Sequence, residues 1–204
     1  MLNLLLALSS SETNTECVSI LLEAEPQINC YNATEAACAK GHLPIVKFLV
    51  EHQPQIIELA SSGVDPCLLQ AAIHYSTQGK LDVLSFLLAK GVSPNTHPPG
   101  SACPLASVLR EGGKTHQLQM ITLLLKAGAS VNDLFDDPSS LRSHSFQALK
   151  SFVTGNPSND ILQLLVDAGL DLSVRDQDTG NTLLHFAAQS AWHEPTDKLT
   201  SSAT

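Results

Sequence analysis

The 204-residue chain is short of rings, short of charge, and without any apolar run of membrane-spanning length. Aromatic residues make up 4% and charged residues 15%, the latter well below the roughly 25% of an average globular domain. A transmembrane helix needs about 20 consecutive apolar residues, and no stretch approaches that, so no membrane is expected as a partner. The 11 Lys and Arg never cluster, and against 20 Asp and Glu they leave a formal net charge of −9. That balance argues against nucleic acid or anionic lipid as the main partner. The five cysteines, Cys17, Cys30, Cys38, Cys67 and Cys103, form no C-x-x-C pair. An odd count without a framework suits a reduced, intracellular protein whose thiols fill space as small apolar groups.

The signatures of catalysis are missing too. There is no G-x-S-x-G, no H-E-x-x-H and no complete phosphate loop. Gly112, Gly113, Lys114 and Thr115 imitate the end of one, but Val108 stands where its first glycine belongs. Histidines 74, 116 and 144 stand apart from Cys or Asp at ligand spacing, and His42 and His52 are not four residues apart. We therefore expect no enzyme activity, no metal and no cofactor. The leucine-rich start, Met1 to Leu8, lacks the basic flank of a secretion signal and runs into polar residues from Ser9. The Asn32-Ala33-Thr34 sequon is read as structural in a protein expected in the cytoplasm, with the nucleus as the alternative.

What is present is aliphatic and periodic. Leucine alone accounts for 33 residues. Five segments, 17–25, 45–53, 83–91, 120–128 and 161–169, share apolar residues at offsets 1, 2, 4 and 5, a pattern for a helix packed on two sides. Three close on Gly91, Gly128 and Gly169, which reach the left-handed helix stop without a Cβ penalty. The other two close on Glu25 and Gln53, each followed by proline. A shorter helical segment with paired small residues precedes most of them, as at residues 33–39, 68–73 and 183–189. Turn-rich linkers join the units at 93–101, 136–140 and 175–180. The unit is a short helix, a turn, a longer helix and an extended loop, near the ~33-residue period of one helical-pair repeat.

The segment RDQDTGNTLLHFAA (175–188) resembles the D-x-x-G-x-T-P-L-H-x-A-A signature of ankyrin repeats, with Leu183 for proline. LLLKAGASVN (123–132) and GHLPIVKFL (41–49) are similar to other parts of the same repeat. The resemblance covers residues 1–190 and implies an all-α solenoid of stacked helix–turn–helix units joined by β-turn finger loops. The units are read as 1–31 (partial), 32–62, 63–98, 99–138, 139–176 and 177–190 (partial). Residues 191–204 then form a polar tail or truncated repeat, with 195–204 poorly ordered.

Only the last unit carries the T-x-L-H tetrad. Thr34-Glu35, Leu68-Leu69 and Leu105-Ala106 stand in place of its Leu-His in the second, third and fourth, and the fifth, around Phe146, is barely recognisable. Extra residues at 75–78, 112–116 and 133–140 lengthen turns or loops. The resemblance assigns Thr182, Leu184, His185, Ala187 and Ala188 to the structural motif, with His185 hydrogen-bonding inside its own unit. It places Tyr31, Ile57, His97, Phe135 and Arg175 on finger loops, and Glu35, Gln70, His74, Arg110 and Gln189 near the open face of the first helices.

Aromatics and arginine anchor interfaces, so the expected partner-binding residues are Tyr31, His74, Arg110, Phe135 and Arg175. The implied function is a non-catalytic, monomeric scaffold or adaptor that binds a protein partner on the concave surface. The alternative is the adaptor region of a larger multidomain protein or enzyme.

Overall fold

The computed structural model describes residues 15–24, 28–62, 67–74, 79–97, 101–111, 116–134, 144–155, 158–176 and 178–191. Eleven α-helices lie among these residues: α1 (Thr15–Ala24), α2 (Tyr31–Lys40), α3 (Leu43–His52), α4 (Gln55–Ser61), α5 (Cys67–His74), α6 (Lys80–Ala89), α7 (Pro104–Glu111), α8 (Gln117–Lys126), α9 (His144–Thr154), α10 (Asn159–Asp167) and α11 (Leu183–Ala191). A 3₁₀ turn occupies Asn132–Leu134. The only β contact among the described residues is an isolated antiparallel bridge between Arg175 and Thr182.

The helices pack in two rows. Helices α2, α5, α7, α9 and α11 stack in succession as an inner row, and α1, α3, α6, α8 and α10 stack as an outer row. Hairpins α2–α3, α5–α6 and α7–α8 tie the rows together. The core is one continuous strip running from Val18 to Phe186. This is an all-α solenoid, in which each layer buries its apolar faces against its neighbours.

The outer helices bury what their periodicity marks. Ile45, Val46 and Leu49 of α3, Val83, Leu84 and Leu87 of α6, and Met120, Ile121 and Leu124 of α8 are all buried. Each such aliphatic side chain contributes about 1.5–3 kcal/mol on burial. The inner helices bury smaller groups, including Ala33, Ala37 and Cys38 of α2 and Ala71 and Ala72 of α5. Small side chains let one layer approach the next closely.

The outer helices end as the glycines require. At Gly91 (φ 91°) the backbone N–H donates to Leu88, and Val92 N–H donates to Leu87. This pair of bonds is the left-handed closure that satisfies the last carbonyls of a helix. Gly128 and Gly169 repeat it with the same donors and acceptors in register.

One junction departs from the sequence expectation. The linker after α3, read as a finger loop carrying Ile57, is the short helix α4, and Ile57 is half-buried on it. Ile56 and Ala60 turn inward and are buried, so three to four apolar spacing converts the loop into one more packed element.

Candidate protein-binding surface

The best-defined finger lies between α10 and α11. Asp176 N–H donates to Asn181 O and Gly180 N–H donates to Asp176 O, each at 2.8 Å, folding the chain back on itself. The Asp176 carboxylate sits inside this turn. One oxygen accepts from the N–H groups of Asp178 (2.8 Å) and Thr179 (3.2 Å), and the other accepts from Lys150 Nζ at 3.3 Å. Burial opposes its charge, but these donors outweigh that effect and hold the carboxyl below its ordinary 3.8. Lys150 comes from α9 and stands 4.1 Å from the centre of the Phe186 ring. Phe186 in turn meets Phe146 edge to face, with centroids 6.5 Å apart. One ammonium group therefore ties the finger turn to the junction of α9 and α11.

His185 works within its own unit. Its Nδ1 lies 2.7 Å from Thr182 Oγ1 and accepts from Thr182 N–H at 3.3 Å. Accepting that N–H fixes Nδ1 as the unprotonated nitrogen and leaves the ring proton on Nε2. The entry to α11 is thereby held in one geometry. Of two neighbouring residues, Leu184 is 77% exposed, whereas Leu183, which replaces the family's proline, is 6% exposed and packs in the core. Ala187 is half-buried and Ala188 exposed. Position Leu184 faces outward because no later inner-row helix lies over α11 among the described residues.

The expected binding residues fall into three groups. Arg110, in the last turn of α7, is exposed. Arg175 is exposed on the finger, where its guanidinium donates to Gly180 O at 2.9 Å. Tyr31 is corrected: it is the first residue of α2, not a loop residue, and it is 3% exposed. Its N–H donates to Asn29 Oδ1, which starts the helix two residues before the projected segment at 33–39 and turns the side chain into the core. His74 ends α5, but its side chain lies outside the described residues, as do Phe135, the Gly112–Thr115 imitation of a phosphate loop, the first-unit helix and the tail beyond Ala191. His97 is half-buried, with Nδ1 3.1 Å from Asn95 O. Gln70 is buried and donates to Ala102 O at 2.6 Å.

Three amide side chains, whose bonding the sequence did not show, tie the layers or their hairpins together. Asn95 donates to Gly128 O (3.1 Å) and accepts from Ser130 N–H (2.9 Å), joining the end of one unit to the next. Gln53 accepts from Cys30 N–H and donates to Ile28 O. Gln117 reaches back to the closing carbonyls of α7, Val108 and Leu109. Gln53 and Gln117 stand at helix boundaries, and Asn95 stands in the loop between α6 and α7. Among the described residues no group of His, Cys, Asp or Glu could hold a metal ion.

Two stacked rows of paired helices with a hydrogen-bonded finger between layers define a helical-repeat solenoid. Residues 4–98 match the family described as ankyrin repeats (3 copies), and the two-row stack continues in the same architecture to Ala191. Residues 4–98 are thus similar to ankyrin repeats. Ankyrin repeats are generally protein–protein interaction modules and are typically non-catalytic. No curated protein matches the sequence. No helix among the described residues is long and apolar enough to cross a membrane.

Proposed function

We propose that the chain is a non-catalytic interaction module, a scaffold or adaptor, that binds a protein partner along the finger loops and the open side of the inner row. Solenoids present extended surfaces of this kind. The observation that carries the reading is the finger at 175–182: its hydrogen bonds are satisfied internally, yet its Arg175 is presented to solvent. A turn braced from α9 and α11 displays a side chain at little entropic cost, which is what a recognition loop needs. Arg110 lies on the inner row and adds a second exposed guanidinium on the same proposed surface, while His74 and Phe135 are the remaining candidates. A reducing compartment, the cytoplasm with the nucleus second, fits the free thiols of Cys17, Cys30, Cys38 and Cys103.

The test places a photo-crosslinking amino acid at 110, at 175, and at exposed Ser85 on the outer row. Cross-links to one protein from 110 and 175, absent from 85, are expected. Equal yields from all three sites, or yield from 85 alone, would reject the surface.

A further inference from the structure

Six polar or charged side chains are buried among the described residues. Four of them have partners. Thr34 donates to Cys30 O, Ser145 accepts from Cys103 N–H, Gln117 reaches the carbonyls of Val108 and Leu109, and Asp176 takes Lys150 and two N–H groups. The other two each leave an oxygen buried without one: Gln70 Oε1 and Ser107 Oγ. Gln70 is 9% exposed and Ser107 1%.

Both belong to the same place in the stack. Gln70 on α5 and Ser107 on α7 each stand two residues after the leucine, Leu68 or Leu105, that takes the motif position of Leu184. The equivalents in α2 and α11 are Ala36 and Phe186. Polar side chains thus occupy this register in two consecutive inner helices, which pack against each other. The Gln70 carboxamide is anchored at the foot of α7, where Nε2 donates to Ala102 O at 2.6 Å. Ser107 lies in the first turn of α7, its N–H donating to Cys103 O at 3.0 Å. The two oxygens therefore flank one short stretch of the α5–α7 junction, yet they are not within bonding distance of each other.

We infer that a single buried water occupies this junction and bridges Gln70 Oε1 to Ser107 Oγ. An amide oxygen only accepts, whereas a hydroxyl both donates and accepts. Water supplies the missing donor to the first and either role to the second, and its other proton can use the second lone pair of Ala102 O. A buried polar atom left without a partner loses its hydration with nothing in return. Polar groups too far apart to bond directly are what one water spans. Uncharged oxygens offer an ion no counter-charge, so a neutral molecule is the ligand they fit. Gln70 precedes His74 by about one helical turn, and Ser107 precedes Arg110 by slightly less. The bridge thus sets the spacing of the two helices that carry these partner-contact candidates. That consequence rests on the proposed surface; the hydration site does not.

Oxygen-17 relaxation dispersion of solvent water, recorded on the full chain, counts long-lived internal waters and is blind to exchanging hydroxyl protons. A folded protein holds on the order of one buried water per 27 residues, so the readout is the difference between proteins. Gln70→Leu and Ser107→Ala should each lower the amplitude by one water per molecule while keeping the wild-type circular dichroism. The double variant should also lower it by one, not two. Ser107→Ala removes one oxygen and no packing, so it decides the matter even where Gln70→Leu unfolds. An unchanged amplitude in folded variants overturns the inference, and a direct Ser107–Gln70 bond would give that result. A loss in only one of two folded variants, or a loss of two waters in the double variant, would assign water to the side chains separately and overturn the bridge. Cross-linking at 110 and 175 tests the partner surface and has no bearing on this count.

Discussion

Asp176 is the most connected polar group in the last layer, and its removal has a size that can be worked from its contacts. Asp176→Ala deletes the acceptor for two backbone N–H groups and the counter-ion of Lys150. Hydrogen bonds to a charged group are worth about 1.5–3 kcal/mol each when sealed from water. Asp178 and Thr179 are exposed, so their N–H groups recover water, and Lys150 is only partly buried. Those two facts reduce the total to about 2–3 kcal/mol.

Asp176→Asn keeps an oxygen for the turn and should cost about 1 kcal/mol. Lys150→Met keeps hydrocarbon over Phe186 but loses the cation facing both ring and carboxylate, a loss of about 1–2 kcal/mol. Because Lys150 and Asp176 touch, the double variant should fall short of additivity by at least about 0.5 kcal/mol.

Urea denaturation supplies the stabilities, and amide exchange shows where the loss falls. In a stack held by nearest-neighbour interfaces, exchange should rise first across 176–186 and leave α3 and α6 unchanged. The pH dependence follows from the same carboxyl. Its folded-state pKa is depressed, so its contribution is complete above the unfolded value near 3.8 and is lost as pH falls through the lower folded value. The gap between wild type and Asp176→Asn should therefore be constant at neutral pH and close below about pH 4. A loss under about 0.5 kcal/mol for Asp176→Ala, or strict additivity with Lys150→Met, would refute the bracing role assigned to this pair.

Gly79→Ala should destabilise by about 1–3 kcal/mol, since a Cβ there would collide with the Gly41 carbonyl oxygen and lie 2.9 Å from its carbon, with backbone on both sides; unfolding at unchanged midpoint would contradict it. Asn95→Ala removes both bonds to Gly128 and Ser130 and should cost about 1–3 kcal/mol, read by urea titration. Among the four described thiols, labelling of the native protein should modify half-buried Cys17 before buried Cys30, Cys38 and Cys103. Cys38 should react only on unfolding, because burial, and secondarily the charge of Glu35, push its thiol far above the usual range. Labelling of Cys38 at the rate of Cys17 would show that α2 opens locally.

Most of the outer row was legible because its signal is local. Isoleucine, valine and leucine at helical spacing, closed by Gly91, Gly128 or Gly169, specify both the buried face and the stop. The inner row was harder. The buried face of α2 is made largely of Ala, Cys and Thr, whose spacing carries little hydrophobic contrast, and Tyr31 shows the consequence: an Asx bond from Asn29 moved a projected loop residue into the helix and the core. Helix α4 was missed because the expectation of a finger outweighed the inward spacing of Ile56 and Ala60. The exposure of Leu184 was not legible for a different reason. Its type fits the motif, but burial at that position depends on the layer that follows, and a local pattern holds no information about it.

The scarcity of rings acquires a location in this stack. Between α2 and α5 the inner row closes on pairs such as Ala37 with Cys38 and Ala71 with Ala72, and no ring would fit where methyl groups set the spacing. Between α9 and α11 the small residues give way to Phe146 and Phe186, packed edge to face with the Lys150 ammonium over one ring. The Lys150–Asp176 pair joins the finger to this neighbouring layer. The hydrogen bonds of the finger at 175–182 are anchored from the layer below as well as from within its own turn. Arg175 is thus displayed on a finger that stands where the stack changes from small-residue packing to ring packing.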